Sequence, residues 1–254
     1  MKFMFSCGEC ISKESRGTLM YVPFHNHGLY DVTCEFGHRN VFVLQSYPFE
    51  TLYQIACNAM LDGYYREAVT TFASSLERFY EFSIRVLFRV RGFDHPEIEK
   101  AWKGISNLSE RQLGAFVAMW TAQFEEVPKT LSEDQVKIRN AVVHKGEIPS
   151  RADTLKYGQA VLDLVRTHRK VLKDSCRVEI FDIVGRRNGD LMRSVGAGIQ
   201  VSLTAAPSAV SLSDESVQPD SLEEILSQMQ EMRRGFESVA DMFKRSTLKL
   251  DGNA

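Results

Sequence analysis

The sequence has no apolar run near the ~18 to 20 residues that a helix needs to cross a bilayer. Its opening, MKFMFSCGEC, holds too short an apolar stretch for the core of a secretory leader. Both absences lead to the expectation of a soluble chain in the cytoplasm, with no membrane partner. Charge of one sign is also missing. Thirty-one Lys and Arg stand against 33 Asp and Glu, for a net charge of −2 and a pI near 6.3, and no basic stripe runs along any segment. Bulk electrostatics therefore will not draw the chain onto nucleic acid, and any grip on phosphate must come from a local cluster. What is present suits a globular protein. With 44% hydrophobic and 25% charged residues over 254 positions, the chain can bury a full core as one large domain or two smaller ones.

Cysteine is scarce, and its placement is uneven. Cys7 and Cys10 form CxxC, while Cys34 and His38 form CxxxH in VTCEFGHRNVF. A tetrahedral Zn2+ takes four thiolate or imidazole ligands, and pairs two to four residues apart let one tight turn aim both donors at the ion. Gly8 and Gly37 fall inside the two turns, where a residue without Cβ tolerates the required backbone. Alternation in LMYVPF and GLYDVTCEFGHRNVFVL reads as short strands around these knuckles. The expectation is a small β zinc ribbon over residues 1–45, with structural Zn2+ on Cys7, Cys10, Cys34 and His38. A free thiol pair or a disulfide is the alternative, and His25 or His27 in FHNH could take the place of His38. Cys57 and Cys176 sit alone in apolar surroundings and read as buried fillers.

From residue 46 the period changes to that of helices. Apolar positions predict helices over 50–62 and 65–89, the second with Val69, Phe72, Leu76, Phe79, Val86 and Leu87 in one broad stripe. HPEIEKAWKGI predicts a short helix, and Ser109 with Gln112 reads as a capping box opening SERQLGAFVAMWTAQF, which Pro128 closes. Further helices follow over 131–145 and 151–173, the last started by Ser150 with Asp153. Short connections favour antiparallel neighbours, hence a mainly α, up-and-down helical bundle over 46–176.

The segment IRNAVVHKGEIPS concentrates polar chemistry late in one of these helices. At about 100° per residue, with Ile138 as zero, Leu131 and Val142 fall near about 20° and 40° and form the core stripe. Asn140 and His144 share the opposite face near about 200° and 240°, with Arg139 on the flank and Val136 and Val143 beside them. A helix with core on one side and valines beside Asn and His on the other is buried twice, the second partner being another copy of the chain. Gly146 suits a left-handed C-terminal cap.

The set RNAVVH followed by KGEIP, late in a helix of a small bundle, resembles the signature of the HEPN superfamily, with LERFYEF on the long second helix fitting the same style over roughly 49–175. Four intervening residues between Arg and His is the short end of that family's range. The resemblance implies a metal-independent endoribonuclease whose site forms across a homodimer, with RNA as substrate. Arg139 would hold the scissile phosphate, His144 would exchange the proton, and Asn140 would orient one of them. Lys137 and Lys145 would add local positive charge. Glu77 and Tyr80 on the second helix are candidates to line the same site, the alternative for Glu77 being a solvated face or an ion pair. The family also suggests a toxin or phage-conflict effector under a protein regulator. Bundles of this kind serve equally as silent adaptors, and fold does not fix function.

The remaining chain divides in three. Residues 177–203 carry strand-like runs at 177–184 and 198–203 around NGD and read as a hairpin or arm. AAPSAVSLSDESVQPD, within 204–220, reads as a flexible linker. Leu222, Ile225, Met229, Met232, Phe236, Val239 and Phe243 then recur every three and four residues, predicting a coiled-coil helix over 221–248 that either pairs two chains or docks on the chain's own body. Phe24, Tyr30 and Phe36 are candidate base-stacking rings. His95 and His168 read as surface or capping residues.

Overall fold

The computed structural model describes residues 2–14, 18–213 and 219–235. In chain order these form β1 (Lys2–Ser6), α1 (Gly8–Glu14), β2 (Leu19–Pro23), β3 (Leu29–Thr33), β4 (Arg39–Leu44), α2 (Pro48–Leu61), α3 (Tyr65–Val90), α4 (His95–Ile105), α5 (Ser109–Phe124), α6 (Glu133–Lys145), α7 (Arg151–Ser175), α8 (Arg177–Arg193), β5 (Val201–Thr204) and a last helix, α9, over 222–235. The protein is mainly helical, with small sheets at its N-terminal end. β1 and β2 pair antiparallel, and a second sheet has the order β3-β4-β5.

The long helix α3 is central, packing against α2, α5, α6, α7, α8 and α4. Its stripe buries Val69, Phe72, Leu76, Phe79, Phe82, Val86 and Leu87, and Phe49 of α2 meets Phe79 edge-on at 5.3 Å. Each such side chain removed from water contributes ~1.5–3 kcal/mol, so this stripe sets the bundle. Pro48 opens α2 at a position that needs no amide hydrogen. Ser150 caps α7 by accepting from the Asp153 amide at 3.1 Å. Gly146, at φ 71°, ends α6 in the left-handed form that glycine adopts without strain.

Several segments depart from their sequence reading. Residues 177–193 are helical, because Ile180, Ile183, Val184, Arg187 and Leu191 line one face at helical spacing against the bundle while Val178 and Phe181 stay exposed. The local alternation of RVEIFDIV masked that longer period. Strand β5 does form, but it pairs parallel with β4, Val41 opposite Val201, and so completes a sheet begun by β3 rather than a hairpin of its own. The stretch read as a linker is instead laced to the bundle over its described part. Ser208 Oγ donates to the Glu50 carbonyl at 2.9 Å, the Leu212 amide donates to Glu50 Oε1 at 2.8 Å, and Arg166 Nε donates to the Ala209 carbonyl at 3.0 Å.

α9 uses the first part of its heptad seam within the chain. Leu222, Ile225, Leu226 and Met229 are buried in the main core, which favours docking on the chain's own body over a coiled coil; Phe236, Val239 and Phe243 lie outside the described residues. Gly158 of α7 admits this helix, since a Cβ there would stand 2.7 Å from both Leu222 Cδ2 and Phe72 Cε2. Two smaller expectations also change. Leu108, not Ser109, is the N-cap of α5, and Gln112 turns inward to donate to the Ser106 carbonyl at 2.9 Å. His168 is a core residue, 3% exposed, with its ring 4.7 Å from Trp120 and its Nδ1 donating to the Leu164 carbonyl at 2.7 Å. It continues the stripe of Val161, Leu164, Val165 and Leu172, and burial pushes its pKa down. Cys57 and Cys176 are buried fillers as read, with thiol pKa values raised by burial.

Candidate functional site

Two clusters of chemistry-bearing side chains stand out. The first joins the two knuckles. Cys7 and Cys10 lie at the start of α1, so this knuckle opens a helix in which Gly8 is itself helical, while Gly37 takes the left-handed form, at φ 84°, in the turn between β3 and β4. The Cys10 amide donates to Cys7 Sγ at 3.5 Å, and the Gly37 amide donates to the Cys34 carbonyl at 2.9 Å. These turns bring four donor atoms within 4.8 Å of one another.

Their spacing can be tested against a four-coordinate ion. Metal bonds of ~2.3 Å to sulfur and ~2.0 Å to nitrogen, set tetrahedrally, place sulfurs about 3.8 Å apart and sulfur about 3.5 Å from nitrogen. Cys10 Sγ lies 3.8 Å from Cys34 Sγ, and His38 Nδ1 lies 3.2, 3.6 and 3.8 Å from the sulfurs of Cys10, Cys34 and Cys7. The cluster can hold a metal ion, and its dimensions are consistent with zinc. All three cysteines are buried. Burial opposes ionisation of Cys7, but the Cys10 amide and the Asn40 side chain prevail and bring its thiol down to about 6. Burial instead pushes Cys10 up to about 11. A cation at the centre would hold all three as thiolates. His25 and His27 are not in the set: His25 stacks on Tyr30 at 4.2 Å, and His38 is the fourth donor that could meet an ion there. Tyr30, 1% exposed and stacked on Phe42, is core and not a platform for bases; Phe24 is half-buried and Phe36 exposed.

The second cluster is on α6. A capping box of Ser132 and Gln135 starts this helix, and its core face buries Val142, with Ile138 half-buried. On the other face Arg139 is a hub. Its Nη1 donates to Asn140 Oδ1 at 3.0 Å and to His144 Nε2 at 3.2 Å. Its Nη2 reaches Glu77 Oε1 at 3.3 Å and Ser109 Oγ at 3.5 Å. Because a guanidinium only donates, Nε2 of His144 must accept here, which puts the ring proton on Nδ1.

Arg139, Asn140, Glu77 and Tyr80 border one cleft of about 200 Å3, which Tyr157 also lines. Burial raises the pKa of both Tyr80 and Tyr157. His144 stands outside that cleft, exposed in the last turn of α6. Lys137 turns away to Asp134 at 3.0 Å, and Lys145 is exposed beyond the cleft. Ser109 is a partner of Arg139 that sequence reading assigned to a cap; its reach across from α5 has no local signature. Leu113 and Val136 line the cleft and expose apolar surface, and Val143 and Ile148 are exposed further along the chain. Among the described residues no helix is long and apolar enough to cross a membrane. Comparison of the chain with protein families, with curated proteins and with solved structures finds no match.

Proposed function

We propose that the protein is a metal-independent endoribonuclease of HEPN type, active as a homodimer, with Arg139, Asn140 and His144 of each chain facing their symmetry mates. One observation carries this reading: the Arg139 guanidinium lies 3.0 Å from the Asn140 amide oxygen and 3.2 Å from the exposed His144 imidazole, on a helix that also exposes Val136 and Val143. The chemistry follows from the groups. Arg139 turns its fork to the scissile phosphate, which leaves the Nε2 lone pair of His144 free for the ribose 2′-hydroxyl. The 2′-oxygen bonds to phosphorus as its proton passes to the imidazole, and the bond from phosphorus to the 5′-oxygen breaks. That oxygen leaves as a hydroxyl once protonated. The products are a 2′,3′-cyclic phosphate and a 5′-hydroxyl end, so DNA is not cut. The Cys/His cluster holds structural Zn2+ that orders the N-terminal module.

Glu77 favours a second reading, a catalytically silent dimerising module. It pairs with Arg139 at 3.3 Å with both side chains more than two-thirds buried, which neutralises the group meant for phosphate. The test is incubation of the purified protein with total RNA in EDTA beside His144→Ala. Cutting lost by at least ~10²-fold in the variant supports the enzyme. Equal cutting by both rejects His144, and no cutting by the native protein or by Glu77→Gln supports the silent module.

A further inference from the structure

A larger cavity, about 460 Å3, lies where the N-terminal sheets meet the helices, within the size range of small-molecule sites. None of the residues assigned to RNA chemistry borders it. Its walls come from distant parts of the chain: His27 from the β2–β3 loop, Tyr47 at the start of α2, and residues of α3, α4 and α8.

The charge on these walls does not balance. Four guanidinium groups, those of Arg78, Arg85, Arg186 and Arg187, face three carboxylates, those of Glu81, Glu99 and Asp190. Three of the arginines are matched. Arg78 pairs with Glu81 at 2.5 Å, Arg85 with both Glu81 and Glu99, and Arg186 with Asp190 at 3.0 Å. Arg187 is the exception: it makes no ion pair at contact distance among the described residues, the buried Glu50 carboxylate acting on it only from further off. Its Nη1 donates to two neutral oxygens, the Leu44 carbonyl at 3.1 Å and Asn188 Oδ1 at 3.3 Å, and its plane lies 5.6 Å over the Tyr47 ring. Nε and Nη2 have no acceptor among the described residues. The fork is nonetheless held in place. A Cβ on Gly28, at φ +68°, would stand 2.8 Å from Arg187 Nη2, so the glycine of the β2–β3 turn leaves room for this head.

A guanidinium stays charged even where burial opposes it, as it does for Arg187. Two spare donors in a planar fork match a carboxylate or phosphate oxygen pair. We propose that the cavity binds a small organic anion whose phosphate or carboxylate head pairs with the Arg187 fork. Such a ligand touches the β2–β3 turn, α2 and α8 at once and fastens the metal-cluster module to the bundle. The inference does not rest on the ribonuclease reading.

Calorimetric titration of the full-length protein with methyl phosphate and, separately, with acetate tests it and tells the two heads apart. Saturable one-to-one binding of either anion is expected. Arg187→Gln, which keeps a donor for Leu44, should weaken it at least tenfold, and Arg187→Lys, which keeps the charge but loses the fork, should fall between. Metal content and circular dichroism establish that each variant is folded, and Arg187→Lys carries the comparison if the glutamine variant is not. Arg139→Gln should bind with native affinity, which separates this cavity from the α6 cluster. Absence of saturable binding by both anions, native affinity in Arg187→Gln, or loss in Arg139→Gln instead overturns the proposal.

Discussion

Glu50 is a carboxylate buried to 3% exposure at the start of α2, and replacing it with glutamine tests how the 206–212 segment is held. Its Oε2 accepts from the Tyr47 amide and its Oε1 from the Leu212 amide at 2.8 Å. Glutamine offers one oxygen, so one backbone amide would face an NH2 group instead. Losing a bond to a charged acceptor costs ~1.5–3 kcal/mol, and part returns because glutamine buries no charge, for a net loss of about 1–2 kcal/mol. For a chain of this size that lowers Tm by about 2–8 °C. The pH dependence is the sharper test. Burial raises the Glu50 pKa above its ordinary value of 4.5, and this outweighs the amide bonds. The folded state therefore binds the proton more tightly than the unfolded chain, and the associated stability is full below pH 4.5 and falls as pH rises through the raised value. Thermal melts of native protein and Glu50→Gln across acidic to neutral pH should show the native advantage shrinking with rising pH. Both proteins carry the same Cys/His cluster, so its own proton competition cancels in the difference. A native advantage that grows with pH would show that the amides outweigh burial, and the reasoning would fail.

Gly158→Ala should destabilise the protein by ~1–3 kcal/mol in urea unfolding, because its methyl group would overlap Phe72 and Leu222. Leu222→Ala should cost ~2–5 kcal/mol and speed hydrogen exchange across 222–235, with no dependence on protein concentration; a loss that varied with concentration would point to a coiled coil instead. Cys10→Ser should abolish stoichiometric metal by mass spectrometry while Cys57→Ser keeps it, since only the first offers a sulfur to the cluster. Metal retained by Cys10→Ser would remove that assignment.

What could be read from the sequence is what short-range spacing determines. The stripe of α3, the Gly146 cap, the Ser150 cap and the CxxC and CxxxH pairs each lie within a few turns of chain, and the structure forms them. The Arg139 hub is largely legible: its helix face gives Asn140 and His144 and the long second helix gives Glu77, while Ser109, reaching across from α5, has no local signature. What was missed depends on partners far away. The sequence of α8 reads as strand because its alternation is local and its helical face shows only against the bundle. The segment holding Ser208 and Leu212 reads as linker because it is small, polar and proline-containing, yet their bonds go to Glu50. The arginine-lined cavity is assembled from segments more than a hundred residues apart and leaves no motif.

The parallel pairing of Val41 with Val201 has a consequence for synthesis. A ribosome releases β4 long before β5, so the nascent chain must carry one bare strand margin while the whole helical body is translated. Loop closure over such a span is slow, and an unpaired margin recruits other chains. Truncation just after α8 leaves that margin bare and also removes the core-docked α9, so the shortened protein should aggregate even though α2 to α8 are still encoded.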